Sequence, residues 1–189
     1  MIRVIAGSAG GLKLRTCPDE TTRPTLDRVK EAMFSMLSEH LPGASVLDLF
    51  SGNGSLGIEA LSRGAAHCCF VDKSSVCCEI IRENLAHTHL SEKALVLCGD
   101  YSQSLASFRK AERRFDLILL DPPYRRGLER DALLLLGKFR LLQPDCIAAA
   151  EHAADDLLEP GYGPFRLWKE KKYGTVRVSL FCADGEERI

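Results

Sequence analysis

The apolar run FDLILLD at 115–121 ends in Asp121, and Pro122, Pro123 and Tyr124 follow directly. Two consecutive prolines hold the backbone extended and carry no N–H, so their carbonyls stay free to accept hydrogen bonds. An acidic acceptor, a rigid carbonyl and an aromatic face together suit a planar base that carries an exocyclic NH₂ group. Such an amine is a poor nucleophile because its lone pair is delocalised into the ring. Asp121 and the Pro122 carbonyl can each accept one N–H and so turn the lone pair toward an electrophile, while Tyr124 stacks on the base.

A second cluster precedes this one. Gly52, Gly54 and Gly57 in DLFSGNGSLG have the spacing G-x-G-x-x-G, which lets a backbone approach an adenosine-type ligand closely. In a nicotinamide or flavin enzyme the ligand at such a turn is an anionic pyrophosphate, which the carboxylate of Asp48 would repel. A cationic ligand suits Asp48 better, and S-adenosylmethionine supplies one through its ammonium and sulfonium groups. Asp72 ends the next apolar run, twenty residues after Gly52, where a ribose-binding acid belongs in either cofactor class. Asp100, in CGDY, follows a third run and is placed to accept a hydrogen bond from an adenine amine. Each of these acids taken singly is equally a helix cap or a turn residue; three at successive strand ends point to a site.

The elements that must hold these residues follow from patterning. Runs at 44–50, 67–72, 94–99 and 115–121 lack strict alternation and read as strands buried on both faces. Helical spacing at 54–63, 75–86 and 129–142 separates or follows them, and CIAAAEH forms a fifth strand. This β-α-β-α order predicts a doubly wound sheet with helices on both sides. Alternating runs around Tyr173-Gly174 predict a terminal hairpin over 165–182, and Gly10-Gly11 turns a small hairpin at the front. Leu26, Val29, Met33, Met36 and Leu37 share one face of an amphipathic helix whose expected N-cap is Thr25. The organisation expected is an extension over 1–42, a catalytic-type domain over 43–184 and a tail over 185–189.

The 189 residues suffice for one domain with a proper core, and a net charge of −1 gives no global attraction to nucleic acid or membrane. No apolar run is long enough to span a bilayer and no signal peptide is evident, so a cytoplasmic protein without membrane contact is expected. Eight cysteines include no C-x-x-C pair. Cys68, Cys69, Cys98, Cys146 and Cys182 fall in apolar, strand-like segments, so reduced thiols packed as small hydrophobes are expected rather than a metal, disulfide or nucleophile role. Basic residues gather locally, and most, Lys30 among them, read as solvated. Arg23, Arg125 and Arg126 neighbour the site motifs and read as phosphate contacts.

Taken in order, RVIAGSAGGLKLRT, TRPTLDRVKEAMFSML, DLFSGNGSLGIEALSRGA, FVDK, DPPY and KKYGTVRVSLF cover nearly the whole chain. In that order the chain resembles the bacterial RsmD family, class I S-adenosylmethionine-dependent methyltransferases that methylate N2 of a guanine in small-subunit (16S) ribosomal RNA. The resemblance implies a Rossmann-like α/β fold with a mostly parallel seven-stranded sheet. It implies a cofactor site of Asp48, Phe50, Ser51, Gly52, Gly54, Asp72, Lys73, Asp100 and Tyr101, closed by Arg23 and Thr25 of TRPT. It makes Asp121, Pro122, Pro123 and Tyr124 the catalytic loop. The implied partner is rRNA in the 30S subunit or its precursor, met by a monomer that needs no metal. An adenine-N6 methyltransferase, a glutamine methyltransferase and a noncatalytic assembly factor remain as alternatives.

Overall fold

A computed structural model describes residues 2–18 and 25–183, apart from the side chains of Thr25 and Leu26. Arg23, the Thr25 cap, the Leu26 side chain and the 185–189 tail therefore lie outside the described residues. Two short strands, β1 (Ile2–Arg3) and β2 (Lys13–Leu14), pair antiparallel and lead to helix α1 (Thr25–Met36). The main sheet then builds from β3 (Ser45–Leu49), β4 (His67–Asp72), β5 (Ala94–Cys98), β6 (Phe115–Leu120) and β7 (Leu142–Ala153), all parallel. Helices α2 (Ser55–Ser62), α3 (Ser75–His87), α4 (Tyr101–Lys110) and α5 (Leu128–Lys138) make the crossovers. The antiparallel strands β8 (Gly161–Tyr162), β9 (Phe165–Tyr173) and β10 (Val176–Ala183) complete one edge, giving the order β5-β4-β3-β6-β7-β10-β9-β8.

Alternation along the strands divides the core in two. Val46, Leu117, Leu119, Ile147 and Ala149 pack with α1, α2 and α3, whereas Leu47, Leu49, Ile118, Leu120 and Ala148 pack with α4 and α5. The expected doubly wound α/β sheet is present, with eight strands instead of seven. The additional strand, β8, has two residues, too few for a periodic signal, and is held by pairing to β9 and by buried Tyr162. Helix α4 departs from the expected element list, since it opens on polar YSQS and buries only Ser104, Leu105 and Phe108. Helix α5 stops at Lys138 and not at 142. Arg140 turns left-handed (φ 55°), and the Arg140 and Leu141 N–H groups close back on Gly137 and Leu136, a common way to end a helix.

The N-terminal segment is docked by a buried carboxylate. Glu59 of α2 is fully buried and accepts the N–H groups of Ile5 and Ala6 at 2.7 and 3.0 Å and Arg63 Nε at 2.7 Å. Lys30 of α1 lies 3.3 Å from the same carboxylate. Lys30 therefore does not belong to the solvated set: it is buried, and desolvation lowers its pKa against the pull of Glu59. Asn84 of α3 makes a second tie, bonding the Arg15 N–H and carbonyl and also the Asn53 carbonyl in the glycine loop.

One cysteine expectation, that Cys98 is packed inside, needs correction, and one pair is bonded. Cys17 and Cys77 are joined by a disulfide, their Cα atoms 5.7 Å apart, which links the segment after β2 to α3. Cys98 is exposed, because β5 is an edge strand. Cys68, Cys69 and Cys146 are buried as expected, and burial pushes all three thiols up, away from the reactive thiolate.

Candidate active site

The carboxyl ends of β3, β4, β6 and β7 open onto a cavity of about 640 Å³. This is the crevice where the strand order reverses in such sheets. Asp48, Phe50, Ser51, Gly52, Asp72, Lys73, Asp100 and Tyr101 line it, together with Asp121, Pro122, Pro123 and Tyr124. Two motifs more than sixty residues apart in sequence thus line one cavity.

The glycine loop is held by hydrogen bonds across β3 and β4. Phe50 sits at φ 68°, a left-handed conformation that a bulky residue adopts only when its surroundings enforce it. The Phe50 and Ser51 N–H groups both donate to the Val71 carbonyl at 3.0 Å, and Ser51 Oγ accepts from the Val71 N–H. The Phe50 ring packs on Tyr101, 5.1 Å between centroids. Gly54 does not line the cavity; it turns the chain into α2 at φ 79°. Gly57 is required by packing, since a Cβ there would stand 2.3 Å from the Phe70 ring.

Each acid expected to meet the cofactor also holds the start of a helix or loop. Buried Asp48 accepts the Gly57 N–H at 2.8 Å and so caps α2, whose N-cap residue, Gly54, offers no side chain. Asp72 accepts the Gly52 N–H and the Ser74 N–H, both at 2.8 Å, one on each oxygen. Asp100 caps α4 through Oδ1, which accepts from the Ser102 and Gln103 N–H groups and the Ser102 hydroxyl. The Ser102 hydroxyl and these N–H groups hold the Asp100 carboxyl below the usual carboxylate range. Capping and cavity lining are therefore one arrangement, because the strand ends that carry the acids face helix N-termini.

The Asp121–Tyr124 loop is anchored differently. Tyr124, partly exposed on the wall, donates its hydroxyl to Glu151 Oε1 at 2.8 Å. Glu151 is a buried carboxylate near the end of β7 and also lines the cavity. Burial pushes its carboxyl up, opposed by the Tyr124 hydrogen bond. Arg126 is exposed and lines the mouth. Arg125 is paired with Asp155 at 2.8 Å, both side chains 71% exposed. Such a solvent-screened contact is one that another anion can displace.

Sequence reasoning passes over Glu151, Lys30, Glu59 and Asn84. Glu151 carries the same signal as Asp48, a lone acid near the end of an apolar run, here in AAAEH. Lys30, with Ile2 and Asp27, brings the N-terminal segment onto the cavity wall, and its Nζ bonds Ser55 Oγ at the start of α2. Nothing in the spacing of Glu59 or Asn84 distinguishes them from other polar residues on helices.

A family model described as "Conserved hypothetical protein 95" matches residues 2–182. "Putative rRNA methyltransferase YlbH" of Bacillus subtilis is 37% identical over 184 residues, 97% of this chain and 100% of that protein. "Ribosomal RNA small subunit methyltransferase D" of Haemophilus influenzae is 33% identical over 181 residues, 95% of this chain and 93% of that protein. Among solved structures, "Putative methyltransferase yhhF from Escherichia coli" superposes with a TM-score of 0.82 at 30% identity, covering 98% of this chain and 99% of that one.

Proposed function

Since the chain belongs to the family described as "Conserved hypothetical protein 95", we propose that it is an S-adenosylmethionine-dependent methyltransferase acting on N2 of a guanine in 16S rRNA. The observation that carries this reading is the cavity that joins the glycine loop to Asp121–Tyr124. The names of the Bacillus and Haemophilus relatives support rRNA as the substrate. The donor set fits the cofactor: Asp48 and Asp72 offer carboxylate to its cationic and hydroxyl-bearing parts, and Phe50 and Tyr101 offer apolar surface to its base. Lys73, Asp100 and the Gly52 backbone complete that half, and Arg23 and Thr25 are assigned to closing it.

When bound, S-adenosylmethionine supplies an electrophilic methyl group. On the protein side, Asp121 and the Pro122 carbonyl each accept one N–H of the target amine, which aims its lone pair. Asp121 then takes the proton released on transfer or passes it to water. Tyr124 stacks on the base, and the target is presented flipped or unstacked so that its amine can reach the site. Pro123 keeps the loop extended.

Arg125 and Arg126 are assigned to phosphate contact, Arg125 by exchanging Asp155 for the RNA backbone. Residues 1–42 serve as a cover for the 43–184 methyltransferase domain, supported by Ile2, Asp27 and Lys30 on the cavity wall. We assign the protein to the cytoplasm as a monomer that meets its rRNA in the 30S subunit or its precursor. Among the described residues, no helix is long and apolar enough to cross a membrane.

Transfer of tritiated methyl groups to small subunits, naked rRNA, DNA and protein in parallel tests the reading. Label entering rRNA, free or in the particle, is the expected result. Label confined to DNA or protein contradicts it.

A further inference from the structure

Asp121 and Glu151 lie at the same level on neighbouring parallel strands. Leu120 of β6 pairs with Ala150 of β7. The residues that follow, Asp121 and Glu151, therefore stand side by side at about the 4.8 Å spacing of adjacent strands. Both line the cavity. Residues Leu119 and Ala149, two earlier on each strand, belong to the core on the α1–α3 side, which places Glu151 on that side by alternation. Tyr124 engages Glu151 through Oε1, so the other carboxylate oxygen keeps its acceptor capacity.

An unmodified guanine presents three N–H bonds in a row along one edge: two on N2 and one on N1. Adenine and cytosine present an amine beside a bare ring nitrogen, which is an acceptor. 2-Aminopurine keeps the N2 amine of guanine but likewise has an acceptor at N1. A ring acceptor set against a buried carboxylate leaves both without a donor, and that loss is the kind that yields strong discrimination.

We propose that Glu151 is the residue that selects guanine, accepting the N1–H while Asp121 and the Pro122 carbonyl hold the N2 amine. This rests on the guanine-N2 reading and adds to it the residue that reads the base. The Tyr124–Glu151 hydrogen bond then has a second use. It fixes the stacking ring and the N1 acceptor relative to each other before the base arrives, so that less ordering is left to binding.

The test replaces the mapped target guanosine by 2-aminopurine riboside in ligated 16S rRNA assembled into subunits, and compares wild type with Glu151→Gln. The amide keeps an oxygen for Tyr124 and gains an NH₂ that can donate to a bare N1. Wild type should prefer guanine over 2-aminopurine by at least about a hundredfold in kcat/KM. Glu151→Gln should shrink that preference at least about tenfold. Losses of folding or of cofactor affinity cancel in the ratio, as does the contribution of the missing O6. An unchanged ratio, including an equal fall on both substrates, overturns the assignment while leaving the guanine-N2 reading intact. Wild-type enzyme that methylates no guanine in the RNA removes both.

Discussion

The two halves of the cavity are held by different chemistry. On the β3–β5 side, Asp48, Asp72 and Asp100 are fixed by backbone N–H groups at the starts of α2, the glycine loop, α3 and α4. On the β6–β7 side, the Asp121–Tyr124 loop is anchored through a side chain, Tyr124 to Glu151. A backbone donor cannot leave without unwinding a helix end, whereas a side-chain donor moves with one torsion. The first half is therefore built into the fold, and the second is laid on top of it. Substitutions in the first should cost stability and binding together; substitutions in the second should cost mainly rate.

Asp121→Ala gives the largest expected effect in support of that contrast. Its kcat should fall at least about a thousandfold, while affinity for S-adenosylhomocysteine by calorimetry stays within about threefold. Asp48→Ala should behave in the opposite way. Losing the α2 cap and stranding a buried N–H costs about 2 kcal/mol in urea unfolding, with weaker cofactor binding alongside. An Asp48 variant of native stability would erase the distinction between the halves. Tyr124→Phe keeps the ring and releases Glu151. A fall in kcat/KM of about tenfold is expected, with a loss of about 1 kcal/mol in urea unfolding because the buried Glu151 carboxylate loses its donor.

The smallest expected effect concerns His152, the neighbour of Glu151 on the opposite face of β7. Its Nε2 lies 2.8 Å from Ser179 Oγ. Burial holds its pKa below the ordinary value of about 6.5. The unfolded chain then takes up this proton more readily than the folded one. The contribution of His152 to stability is full above about pH 6.5 and is lost as pH falls through the lowered folded pKa. Glu151 works in the opposite sense, since its raised carboxyl binds a proton more readily when folded. The difference in acid stability between wild type and His152→Asn isolates the histidine: the variant should show the shallower decline below about pH 6.5.

The β6–β7 chemistry is more legible in the sequence than its support. Asp121-Pro122-Pro123-Tyr124 announces an acceptor, a rigid carbonyl and a ring within four consecutive residues, and strand ends place Asp48, Asp72 and Asp100 without coordinates. The parallel core is equally readable, because strands buried on both faces leave continuous apolar runs. Helix α4 and strand β8 escape for lack of periodicity: one is mostly polar on its surface and the other spans two residues. Lys30 reads as solvated because its partner, Glu59, lies on another helix, and no local pattern encodes a contact of that range. The disulfide between Cys17 and Cys77 is of the same kind, sixty residues apart and visible only once α3 lies beside the N-terminal segment.

Nucleoside analysis of the methylated product decides whether the protein is a guanine-N2 methyltransferase. Small subunits lacking the modification are incubated with the protein and labelled cofactor, the 16S rRNA is digested, and the labelled nucleoside is identified by mass. N2-methylguanosine from a single position is the expected product. Label in N6-methyladenosine, or none in the RNA, would contradict that assignment.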